Sequence, residues 1–144
     1  LNPEEATGLQ QLQHWIAAGK RFGIAETLQF SLVEASEGFA AFEGIPGDHA
    51  YNPIGSVHGG YAATLLDSAC GCAVQSKLAP GVQYTTLELK VSYHKAVTRT
   101  TGLVRAEAKV LSIGRRVGFA EAKLFDASGK LLASATSTLL VINR

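Results

Sequence analysis

Residues 52–77 read NPIGSVHGGYAATLLDSACGCAVQSK. Pro53 and Gly55 mark a loop, because neither residue type continues regular structure. From Gly59 to Lys77 the stretch has helical length, and Ala62, Leu65, Leu66, Ala69 and Ala73 fall around most of the circumference. A helix apolar nearly all round is buried inside its domain. Ala79-Pro80-Gly81 ends it. The run between Asp48 and Lys77 holds one charge, Asp67, but Asn52, Pro53, Gly55, His58, Gly59 and Gly60 interrupt it. It lacks the ~20 consecutive apolar residues of a membrane span.

Outward from this helix the pattern changes to period two. On the N-terminal side, Leu28, Phe30 and Leu32 alternate with Gln29 and Ser31, and Gly38 marks the turn of a hairpin over 27–46. On the C-terminal side, Leu87, Leu89, Val91 and Tyr93 alternate with polar residues. Val104, Ala106, Ala108 and Val110 do the same, 116–126 reads as another strand, and Ser128-Gly129 turns into a last strand over 130–142. Residues 2–19 read as an amphipathic helix, with Asn2 as N-cap, Pro3 in first position and Gly19 as the stop. His14 and Trp15 beside its stripe are assigned to packing. The fold class expected is α+β, one helix packed on a large antiparallel sheet.

The chain is one domain in size, with 144 residues, 47% hydrophobic and 17% charged. That charged fraction is below the usual ~25%, so the surface is either unusually apolar or hidden in an oligomer. Net charge is +1, but residues 1–50 hold two basic against seven acidic residues, and 51–144 hold eleven against five. This gives no case for nucleic-acid binding. A basic C-terminal part suits a small anionic ligand. Asn2–Glu5 shows no secretory pattern. Cys70 and Cys72 read as reduced, buried residues of a cytoplasmic protein. No cofactor is expected. Nor is a metal site, since His14, His49, His58 and His94 lack ligand spacing.

Two features of the central stretch carry chemistry. Gly59 and Gly60 lie where loop becomes helix. There, unpaired amides point outward with partial positive charge, and a ligand can approach the backbone. Asp67 stands two turns further on in an otherwise uncharged helix, and an unpartnered buried carboxylate is costly. The two are separated by about 12 Å along a helix, too far to act on one carbonyl within one chain. They can converge if two copies of the helix lie antiparallel across a dimer axis.

The spacing Asn52-x-x-Gly55-x-Val57-His58-Gly59-Gly60-x-x-x-Thr64-Leu65-Leu66-Asp67 resembles the signature of hotdog-fold acyl-CoA thioesterases, in their phenylacetate-degradation (PaaI-like) branch. Thr86–Tyr93, Gly114-Arg115 and Asp126–Lys130 resemble that family's later strand, turn and hairpin. The resemblance covers about residues 25–142. It implies a long central helix wrapped by a curved antiparallel sheet over 25–144, with 1–24 as an N-terminal helical extension. It also implies a homo-oligomer, a dimer or tetramer, that hydrolyses an acyl-CoA to free acid and CoA.

By the same resemblance, Asp67 is general base or nucleophile, and the Gly59 amide of the neighbouring subunit polarises the carbonyl. Asn52 and His58 shape the site, and Thr86 helps hold the water. Gly60 and Tyr61 line the substrate. Lys90, His94, Lys95, Arg115 and Arg116 are candidates for the phosphates of CoA. Some relatives of this fold carry Glu at the catalytic position with a hydroxylated residue one turn later. Here Asp67 is followed by Gly71, which favours the Asp branch. A non-catalytic acyl-CoA binding module and an enoyl-CoA hydratase remain open alternatives.

Overall fold

The computed structural model describes residues 1–143. In chain order the elements are α1 (Gly8–Ala18), α2 (Ile24–Leu28), β1 (Phe30–Ser36), β2 (Phe39–Gly44), a short 3-10 turn (Asp48–Ala50), α3 (Gly59–Gln75), β3 (Gln83–Tyr93), β4 (Val104–Ile113), β5 (Val117–Asp126) and β6 (Leu131–Ile142). The six strands form one antiparallel sheet in the order β1-β2-β4-β5-β6-β3. This is the curved sheet around a long helix that the resemblance implied.

Curvature comes from bulges. Val33, Leu87 and Leu111 are extra residues that shift the register of β1, β3 and β4. A bulge bends its strand and raises local twist. The concave face is made close to α3 by small side chains: Ala40, Ala106, Ala108, Ala120, Ala122, Ala133 and Ala135 are all buried. Against them α3 places Leu65, Leu66, Ala69, Cys70, Ala73 and Val74. Leu65 and Leu66 are fully buried, each contributing roughly 1.5–3 kcal/mol by burial.

Burial of α3 is less complete than its composition suggests. A stripe of Gly60, Thr64, Asp67 and Ser68 keeps partial access to solvent. These residues recur at helical spacing on the side turned away from the alanines. The helix stops at Gln75, two residues early, because Ser76 takes over the end: its hydroxyl donates to Ala73 O at 2.6 Å and accepts from Gly38 N at 2.7 Å. That second bond ties the β1–β2 turn to the helix.

The N-terminal helix starts at Gly8, not near Asn2. Thr7 and Gln10 form a reciprocal capping box, with N–H to oxygen distances of 2.9 and 3.1 Å, and this box outcompetes Asn2. Asn2 instead closes a tight turn, its backbone oxygen accepting from Glu5 N and Ala6 N. Leu12 of α1 is fully buried and Gly8 N donates to Leu78 O at 3.0 Å. The extension is therefore docked on the core. The strand pattern read from residue 27 begins only at Phe30; Ile24–Leu28 is helical and ends at Gln29, which adopts φ 60°. No helix among the described residues is long and apolar enough to cross a membrane.

Candidate active site

Asp67 projects from the partly open stripe of α3 toward β3. The Thr86 hydroxyl donates to its Oδ1 at 2.9 Å. Thr86 sits immediately before the Leu87 bulge. Asp67 Oδ2 has no hydrogen-bond donor among the described residues, so the carboxylate is oriented on one oxygen and open on the other.

Behind this carboxylate, which itself keeps partial access to solvent, α3 turns into the packed core. Cys70 and Cys72 are free and buried, and burial, with the Asp67 charge adding to it, pushes both thiols up to about 12. Such thiols are inert packing groups. Two residues before Thr86, Tyr84 lays its ring over Gly71. A Cβ at Gly71 would stand 2.6 Å from the Tyr84 hydroxyl. Burial raises the Tyr84 phenol, and the neighbouring Cys72 and Asp67 add to the rise. Gly71 is thus the room that Tyr84 needs. Tyr84 was missed in the sequence, although its i, i+2 relation to Thr86 puts both on one strand face.

At the other end of α3, His58 is the N-cap. Its Nδ1 accepts from Gly60 N at 2.7 Å, so the ring carries its proton on Nε2. The Gly59 N–H has no partner among the described residues. One of the two glycine amides is therefore used by the cap, and the other is an open donor at the positive end of the helix. The Tyr93 hydroxyl donates to Gly59 O at 2.6 Å, and a Cβ at Gly59 would be 3.0 Å from that ring. Tyr93, also missed, steadies the helix entry. A cavity of about 340 Å³ opens here, lined by His58, Gly59, Ala62, Tyr93, His94 and Lys95 among others.

The remaining candidates separate. Asn52 is occupied within its own loop: its Oδ1 accepts from Ile54 N at 3.1 Å and its Nδ2 donates to Ser56 Oγ at 3.0 Å. Tyr61 is buried against the β1–β2 hairpin. Its hydroxyl has no hydrogen-bond partner among the described residues and is pushed up to about 12 by burial. His94, bonded to Ser134 Oγ at 2.8 Å, and Lys95 stand with Gly59. Lys90 lies beside Glu121 and Lys123 along β3. Arg115 and Arg116 occupy the β4–β5 turn, at the far end of β6 from His94. The five basic residues therefore do not form one cluster in a single chain.

Residues 54–133 match the family model described as the thioesterase superfamily. The chain belongs to the thioesterase superfamily. Like others of that superfamily it is a thioester hydrolase on a hotdog fold. The thioesterase is 26% identical, over 83% of its length and 95% of the relative's, to a 1,4-dihydroxy-2-naphthoyl-CoA hydrolase of Listeria monocytogenes. Its structure resembles a phenylacetic acid degradation-related protein of Ralstonia eutropha, with 26% identity and a TM-score of 0.79, covering 90% of this chain and 98% of that one. It has the same fold as the PaaI protein of E. coli, at 21% identity and a TM-score of 0.81, covering 94% of each chain. The family match takes in the central helix, both glycines and Asp67.

Proposed function

We propose that the thioesterase hydrolyses an acyl-CoA to a free acid and CoA at a site made by two copies of the chain. The observation that carries this reading is the division of α3. Asp67 and Thr86 form a bonded pair with one open carboxylate oxygen, and the open Gly59 amide is about 12 Å away along the same helix. The free edge of β3 supplies the geometry that would join them. Among the described residues β3 pairs only with β6 and ends the sheet. An antiparallel pairing of two β3 edges, centred between Leu89 and Lys90, would set Thr86 opposite Tyr93 of the partner subunit. That tyrosine holds Gly59.

In this arrangement Thr86, whose hydroxyl donates a hydrogen bond to Asp67 Oδ1, accepts from a water that also donates to Asp67 Oδ2. Asp67 takes the water proton as the oxygen attacks the thioester carbon. The oxyanion that forms is met by the Gly59 N–H of the facing helix. The C–S bond then breaks, and the proton on Asp67 passes to the departing CoA thiolate. His94 and Lys95 beside Gly59, with Arg115 and Arg116 brought up from the facing chain, offer charge to the CoA phosphates. The chemistry of a carboxylate base and one amide donor fits a thioester, which is already electrophilic. Two buried, protonated thiols suit a reducing, cytoplasmic setting.

Thiol release from a panel of acyl-CoAs tests the assignment. Asp67→Asn keeps the size and the Thr86 contact but cannot take a proton, and turnover should fall by ~10²–10⁴. Undiminished turnover would overturn it. Single turnover in isotopically labelled water should leave Asp67 unlabelled; label in its carboxylate would make it the nucleophile instead. Binding without thiol release would favour a non-catalytic module, and water added to the acyl chain with the thioester intact a hydratase.

A further inference from the structure

A second cavity, about 160 Å³, lies against the same helix as Asp67. Its floor is Ser68 and Cys72 of α3 with Tyr84 of β3, neighbours of Asp67 and Thr86. Phe30 and Phe42 close one side, edge to face with ring centroids 5.6 Å apart. The roof is the N-terminal segment, where Trp15 and Phe22 meet edge to face at 5.0 Å. That roof is anchored: besides the burial of Leu12, Gln75 Nε2 donates to Gln11 Oε1 at 3.3 Å. An apolar cavity of about 150 Å³ holds one benzene ring. This one therefore fits a single ring, or an aliphatic chain of about that bulk.

The charge at its rim is specific. Residues 1–50 contain two basic residues in all, Lys20 and Arg21, and both line this cavity. Arg21 Nε donates to Ser31 Oγ at 2.7 Å. Among the described residues no carboxylate pairs with either cation, so the Arg21 Nη atoms remain open. A guanidinium fork matches a carboxylate with two parallel hydrogen bonds.

We propose that this cavity receives the acyl group, and that Arg21 selects acyl groups of one-ring size that end in a carboxylate. The proposal rests on the reading of Asp67 as the thioester hydrolase centre. The thioester end would lie at Asp67, the ring between Phe30, Phe42 and Trp15, and the distal carboxylate at Arg21.

The test compares 4-carboxybenzoyl-CoA with 4-methylbenzoyl-CoA, alike in bulk and in CoA. The wild-type protein should favour the carboxylate by ~10-fold or more in kcat/KM, the scale of a charged hydrogen bond. Arg21→Gln should abolish that preference, chiefly by raising KM for the carboxylate substrate. An equal loss for both substrates would put Arg21 on the CoA phosphates and overturn the proposal, as would a wild type with no preference.

Trp15, the single tryptophan, gives a readout independent of turnover. In Asp67→Asn its fluorescence should change saturably with 4-carboxybenzoyl-CoA, and tenfold more weakly in affinity when Arg21→Gln is added. If Asp67→Asn hydrolyses at the wild-type rate while this titration holds, the Asp67 reading fails and the pocket stands. If Asp67→Asn is inactive and Trp15 does not respond, the pocket falls and the Asp67 reading stands.

Discussion

The two halves of α3 leave opposite things open. The N-terminal half offers an unpaired Gly59 amide, a capped Gly60 amide, and the exposed His94 and Lys95. The second half offers a carboxylate, held by Thr86, with two buried thiols and a half-buried phenol close by. Donor and acceptor are fixed on one rigid rod, and rigidity is what keeps them apart. A helix that bent to bring them together would lose the backbone bonds that orient both. The division argues for completing each half from another copy, which places each positive helix end against a carboxylate.

If each half is completed by another copy, two differently damaged chains should restore each other when mixed. Asp67→Asn removes the proposed base, and Gly59→Pro removes the amide proton. Proline is tolerated in the first helical position, and His58 already has the extended conformation that precedes proline, with φ −62° and ψ 135°. Each variant alone should lose about 10² or more in kcat. Co-expressed in equal amounts under two tags, they should recover about a quarter of wild-type activity, because half of the dimers are mixed and each mixed dimer of a two-fold pair has one intact site. No recovery would confine the site to one chain.

The same one-carbon insertion at each end sharpens it further. At Gly71 a Cβ meets the Tyr84 ring at 2.6–2.9 Å, in a dry interior. Gly71→Ala should cost ~1–3 kcal/mol in urea unfolding, the usual price of overpacking. It should also lower kcat, because Tyr84 and Thr86 share a strand face. At Gly59 the opposing Tyr93 is 56% exposed and can swing outward. Gly59→Ala should change stability by under ~0.5 kcal/mol, the range of surface substitutions. Equal costs at both ends would show that the two halves are packed alike.

How much of this was legible follows the range of the interactions. The central helix and the hairpins were readable, and Asp67 stood out as a candidate, because periodicity, turn residues and a lone charge are local signals. The Thr7-Gln10 capping box was also written in the sequence, but Asn2-Pro3 offered a competing start, and only the docking of Leu12 and Gly8 decides between them. Tyr84 and Tyr93 could not be placed without knowing which strand covers which turn of α3. Arg115 and Arg116 looked equivalent to His94 and Lys95 as charges. The sheet separates them, since the β4–β5 turn and the β5–β6 turn lie at opposite ends of β6.

Alkaline unfolding probes the dry half directly. Cys70 and Cys72 hold their protons to about 12 in the folded chain, against an ordinary value of 9. The folded state therefore binds protons that the unfolded chain has already released. Stability is complete below about pH 9 and falls as pH rises toward 12, by up to ~1.4 kcal/mol per pH unit for each thiol. The double variant Cys70→Ala/Cys72→Ala should lose less stability between pH 7 and pH 10 than the wild type, measured by urea midpoints. An identical loss would mean that the thiols are not in an apolar interior.

Tyr61 offers the smallest and most discriminating comparison, because it is the counterpart of Tyr84 in the open half. It is 3% exposed, and its hydroxyl is the one buried side-chain oxygen or nitrogen among the described residues without a hydrogen-bond partner. A buried hydroxyl left unpaired costs about 1–3 kcal/mol relative to one that is satisfied. Its ring, by contrast, belongs to the buried core and stands edge to face with the His49 ring at 6.5 Å. Removing the oxygen alone therefore removes the penalty and keeps the contacts. Tyr61→Phe should leave the urea midpoint unchanged or raise it by the equivalent of up to ~1 kcal/mol, with kcat/KM within twofold of wild type. A drop in stability would show that the hydroxyl is bonded in solution. A drop in kcat/KM at constant stability would instead return Tyr61 to the substrate site, and the open half of α3 would then extend one turn deeper than its surface shows.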